Sequence, residues 1–61
     1  MDPKNLVKGK TYLFKNNQIT MEVIYLYETL NCRAFSSENQ PVMNIPEAAA
    51  TVYITELVEP N

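Results

Sequence analysis

The six aromatic side chains, Tyr12, Phe14, Tyr25, Tyr27, Phe35 and Tyr53, are the residues here best suited to chemistry. The chemistry they suit is contact rather than catalysis. A tyrosine offers a rigid apolar ring with a hydrogen-bonding tip, a combination favoured in cores and at interfaces alike. All six fall in strand-like runs, so most belong to a core or a half-buried sheet. Tyr27 and Tyr53 stand near predicted strand ends, where a loop could frame a groove; they are the candidate partner-binding residues, with Arg33 as a cationic rim. Acid–base catalysis needs two carboxylates in one cleft. Glu22 and Glu28 share a strand face but lie about 20 Å apart at the usual rise per residue. Metal binding needs clustered ligands. The chain has no His, one Cys and no acidic cluster. Cys32 cannot form an internal disulfide and has no ordinary base to activate it, so it reads as a small, partly buried residue. No catalytic, metal or cofactor site is implied, and a chain this short leaves little room for a small-molecule pocket.

The elements that would position these groups are strands. The run Thr20–Glu28 is rich in β-branched and aromatic residues and contains no Gly or Pro. Met21, Val23, Tyr25 and Tyr27 point one way, and Glu22, Ile24, Leu26 and Glu28 the other. Both faces are apolar at the centre, which predicts a central strand covered on both faces or bent between two small sheets. Before it, Lys10–Lys15 reads as a strand with Tyr12 and Phe14 on one face. Asn16-Asn17-Gln18 reads as a hairpin turn, with Asn tolerant of the left-handed region. Gly9, the single glycine, predicts a turn or bulge at positive φ. After Thr29-Leu30-Asn31 a third strand covers Asn31–Ser36, with Arg33 and Phe35 opposite Cys32, Ala34 and Ser36. The polar stretch Ser36–Pro41 is a loop, and Val42–Ile45 a short fourth strand. Pro46-Glu47-Ala48-Ala49-Ala50 predicts one helical turn, and Thr51–Thr55 a fifth strand that Leu57 and Val58 extend. Met1–Asn5 reads as a flexible lead-in and Glu59–Asn61 as a polar tail.

Length and charge set the class. Sixty-one residues allow one domain, spanning 1–61, and a 46% hydrophobic content allows it a core. The net charge of −2 argues against nonspecific nucleic-acid binding, which needs clustered cations. Lys4, Lys8, Lys10 and Lys15 crowd the first quarter, and Glu38, Glu47, Glu56 and Glu59 load the second half; the expectation is solvated faces. The first residues lack the apolar core of a signal peptide, and no apolar run approaches a membrane span. A cytoplasmic protein with a reduced thiol, not held at a membrane, is expected.

Five short strands with a helical turn before the last would leave apolar area exposed as a flat sheet. Curling into a small barrel buries it and reduces the exposed edges. The order of elements resembles an SH3-like barrel. The stretch Ile45-Pro46-Glu47-Ala48-Ala49-Ala50-Thr51-Val52-Tyr53-Ile54-Thr55-Glu56-Leu57 is similar to the end of SH3 domains, where a Pro opens a 3₁₀ turn and a Tyr followed by an aliphatic residue starts the last strand. The resemblance implies the barrel alone. The chain has no Trp, lacks the acidic aromatic opening motif, and spaces Pro46 and Tyr53 too widely for a proline-peptide groove. The expected fold is therefore all-β: a small SH3-like five-stranded barrel with one short helical turn before the last strand. The expected function is non-enzymatic protein–protein interaction or self-association. The alternatives are nucleic-acid binding through the amino-terminal lysines and stacking tyrosines, or a role as accessory subunit of a phage or mobile-element assembly.

Overall fold

Residues 1–57 are described by a computed structural model. Of the predicted extension of the last strand, Leu57 lies past the end of the strand, and Val58 and the tail Glu59–Asn61 lie outside the described residues. Among the described residues, five antiparallel strands form one sheet: β1 (Thr11–Lys15), β2 (Thr20–Glu28), β3 (Cys32–Ser36), β4 (Met43–Pro46) and β5 (Ile54–Glu56). One short α-helix, α1 (Glu47–Tyr53), stands before the last strand, as expected for the fold. The strand order is β4-β3-β2-β1-β5, so β5 returns to pair with β1. Among the described residues β4 and β5 are sheet edges not paired to each other, and α1 connects them. The sheet is open, and its two edges are joined by a helix rather than a ladder.

The first hairpin has the expected register, from Thr11 opposite Ile24 to Lys15 opposite Thr20. Its turn works differently from the expectation. No residue other than Gly9 has positive φ among those described. The Asn16 side-chain oxygen instead accepts from the backbone N–H groups of Gln18 and Ile19, at 2.8 and 2.9 Å. An Asx-type turn satisfies these donors without a left-handed residue.

Gly9 does take positive φ, at 83°. That geometry turns its N–H onto the Tyr25 carbonyl at 2.8 Å, just beyond the end of the β1–β2 ladder. An added Cβ would meet no atom within 4 Å, so only the backbone conformation resists substitution. Gly9→Ala should therefore lower stability by roughly 1–2 kcal/mol, the penalty of a left-handed L-residue. Urea denaturation of the two proteins measures it.

Burial divides the sheet by face, with Ala34 the fully buried exception on the second face. Tyr12, Val23, Tyr25, Phe35, Ile45, Ala50 and Ile54 form the core, with Met1, Leu6, Phe14, Met21, Met43 and Ala49 packed against it. The strand residues among these share one face by alternation and pairing, and the helix supplies Ala49 and Ala50 to cover it. Among the described residues the other face has no helix over it, and Glu22 and Ile24 are exposed there. The expectation that β2 would be covered on both faces is therefore corrected.

A second correction lies within β2. Tyr25 pairs with Phe35, but Tyr27 pairs with Ala34 and Glu28 with Arg33. Leu26 is the extra residue of a β-bulge. A one-residue shift reverses the facing of every side chain beyond it. Tyr27 therefore leaves the Met21–Val23–Tyr25 face for the uncovered one, while Glu28 arrives beside Arg33. The strand is irregular at that bulge but stays within one sheet rather than passing between two.

The ends of the chain also differ from expectation. Pro3–Asn5 forms a 3₁₀ turn with Asp2 capping the Lys4 N–H at 2.9 Å, and Pro3 is buried. The Met1 ammonium donates to the carbonyls of Thr51 and Ile54 at 2.8 and 3.0 Å. Thr51, Val52 and Tyr53, predicted as strand, are the last residues of α1. Once Pro46, Glu47 and three alanines nucleate a turn, each further residue adds a hydrogen bond at small cost. The helix also lets Ala50 and Ile54, four residues apart, both reach the core, where each is fully buried. β-branched propensity yields to that packing.

Candidate interaction surface

The three sequence candidates do not form one site. Tyr27 is 44% exposed and lies on the uncovered sheet face, beside fully buried Ala34 across the ladder. Tyr53 is on α1 rather than a strand, and its ring packs at 5.7 Å on Phe14. Phe14 pairs with Met21, six residues from Tyr27 along β2. At the usual rise per residue the two tyrosines mark ends of the sheet about 20 Å apart.

Arg33 is not a rim residue. It is 6% exposed and lies on the core side, two residues from Phe35. Its Nη1 donates to the Cys32 carbonyl at 3.2 Å. Glu28 and Glu47 flank it, their carboxylates 3.7 and 3.9 Å from Nη2 and Nη1. Its buried Nε has no partner. The guanidinium joins β2, β3 and the first turn of α1, and is enclosed by the protein. Burial raises Tyr25 above the ordinary tyrosine value, and the positive charge of Arg33 partly offsets that shift. Tyr25 is otherwise a core residue, its ring 5.3 Å from Phe35. Cys32 is half-buried, as expected.

The uncovered face holds a feature that sequence reasoning missed. An open groove of about 620 Å³ runs between the β1–β2 hairpin and the loop after β3, lined by Thr11, Glu22, Ile24, Ser36, Glu38 and Asn39 among others. Its parts were visible separately: Glu22 with Ile24 on one strand face, and a polar loop starting at Ser36. The register of Ile24 opposite Ser36 brings them together, and no local pattern encodes a register. Hydroxyls, an amide and two carboxylates surround the exposed side chain of Ile24, with no Lys or Arg in the lining. Such a groove can hold an extended segment.

Among the described residues no three His, Cys, Asp or Glu side chains approach closely enough to hold a metal ion, and no helix is long and apolar enough to cross a membrane. Compared with known proteins, the chain matches no protein-family model, no curated protein and no solved structure.

Proposed function

We propose that this chain is a non-enzymatic protein-interaction module that presents the uncovered face of its sheet to a protein partner. The observation that carries the reading is the asymmetry of the sheet. α1 packs on one face, and the other keeps a groove together with exposed Ile24 and Tyr27. Exposed apolar side chains set in a polar concavity are the ordinary makings of a contact surface. Tyr27 is part of this surface; Tyr53 and Arg33 are not. The fold belongs to the proposal as an SH3-like barrel. The order of hairpins, helix and short final strand supports that, as does the return of the last strand to the first.

Photo-crosslinking in the cells that express the protein tests the proposal. p-Benzoylphenylalanine at position 24 or 27 should give discrete protein adducts, and at position 17, in the exposed hairpin turn, none. Adducts of equal yield at position 17, or none at 24 and 27, would overturn it.

A further inference from the structure

Taking the proposed interaction face as its premise, the inference concerns what the groove accepts. The described carboxylates divide by partner. Asp2 caps the Lys4 N–H. Glu56 pairs with Lys10 at 3.1 Å. Glu28 and Glu47 flank Arg33. Glu22 and Glu38 have no hydrogen-bond or ion-pair partner among the described residues, and both line the groove. They come from different elements, β2 and the loop after β3, so their sharing one groove is a product of the tertiary fold. Nothing basic lines the groove to answer them.

From this complementarity we propose that the groove binds an extended, arginine-bearing segment of a partner protein. The exposed side chain of Ile24 takes the aliphatic stem of an arginine, as long cationic side chains bury their stems on apolar surface. The guanidinium then reaches Glu22 or Glu38, where its fixed fork suits a carboxylate. The hydroxyls of Thr11, Ser36 and Ser37 and the amide of Asn39 are placed for the backbone of an extended chain, whose alternate side chains point into the groove. A nucleic acid is disfavoured in this groove, because its phosphates would face two carboxylates. Both glutamates are exposed, so each ion pair contributes little alone and is screened by salt. The binding is correspondingly modest and ionic-strength dependent.

The test is an NMR titration of ¹⁵N-labelled protein with the peptide Gly-Ser-Arg-Val-Arg-Val-Arg-Ser-Gly, beside a peptide carrying Glu at the three Arg positions. The arginine peptide should shift the amides of Glu22, Ile24 and Ser36–Asn39, and the glutamate peptide should not. In the double variant Glu22→Gln/Glu38→Gln the dissociation constant should rise about fivefold to tenfold, the effect of two exposed charge pairs. The melting temperature should be unchanged, since neither carboxylate has an internal partner. No shift at low salt, shifts of equal size with both peptides, or undiminished binding to the double variant would each overturn the proposal. So would a concentration-dependent dimer that occupies the same amides and excludes the peptide, because the occupant would then be a second copy. Failure of the titration alongside adducts from positions 24 and 27 would discard the arginine ligand and leave the interaction face standing.

Discussion

Phe35→Ala should lower the folding free energy by about 3–5 kcal/mol, and Tyr27→Ala by less than about 1 kcal/mol. Phe35 is fully buried at the centre of the core and pairs with Tyr25 across the ladder. Removing its ring deletes the apolar area it buries, and the space left can close only partly, because β3 is held by β2 and β4 on either side. A domain of this length has a total stability of only several kcal/mol. The Phe35→Ala protein should therefore be largely unfolded at room temperature by circular dichroism. Tyr27 is an aromatic residue in the same sheet, yet it stands on the uncovered face with 44% of its surface in water. Its truncation removes contact area rather than core. The proposed function depends on this contrast. A Tyr27→Ala protein as unstable as the Phe35→Ala one would make Tyr27 a core residue and remove it from the interaction face.

Arg33→Met should stabilise the protein by about 1–2 kcal/mol, while Arg33→Ala should destabilise it by a similar amount. Arg33 loses its water on folding and gains poor replacements. One carbonyl lies at 3.2 Å, two carboxylates lie beyond normal hydrogen-bond distance, and the buried Nε has no partner. Both carboxylates are substantially exposed, so their attraction is screened by solvent. Once Arg33 is replaced they lose little, because water already reaches them. Methionine retains the length and apolar volume of the stem without the charge. Alanine removes the stem as well and leaves a void. For a domain of about this length the gain corresponds to a rise in melting temperature of roughly 4–8 °C per kcal/mol. If Arg33→Met melts as low as Arg33→Ala, the loose ion pairs are holding α1 to the sheet and the desolvation argument fails. Because Arg33 lies on the core side, neither variant should change crosslinking from position 24 or 27, provided it remains folded.

The lower stability expected for Gly9→Ala comes from a different source. There the surroundings leave room for a side chain, and the conformation alone opposes it. Gly9, Phe35 and Arg33 thus separate backbone strain, core packing and buried charge in one small domain.

Alternation of residue type was enough to place the first four strands and to group Tyr12 with Phe14, Val23 with Tyr25 and Arg33 with Phe35 on shared faces, while the Pro and alanines marked a helical turn, which begins at Glu47 after Pro46 ends β4. These are local properties. A period of two, a turn-forming Asn and a run of alanines act over a few residues and are written in them. The same local signals misplaced Thr51–Tyr53, because β-branched propensity is weaker than the gain from burying Ala50 and Ile54 together. They also misplaced Tyr27, because the bulge at Leu26 is a property of a strand pair, and the reversal it causes follows only from the partner strand. Arg33 was read as a rim residue because charge usually means exposure; a buried arginine depends on which elements close over it. The groove lay furthest from view. Glu22 and Glu38 are sixteen positions apart and share no motif. Sequence by itself determined the first four strands and which side chains can enter a core. Tertiary structure decided which face stays open, because register and helix docking are contacts between distant segments, and it is on that face that two unpaired carboxylates line one groove.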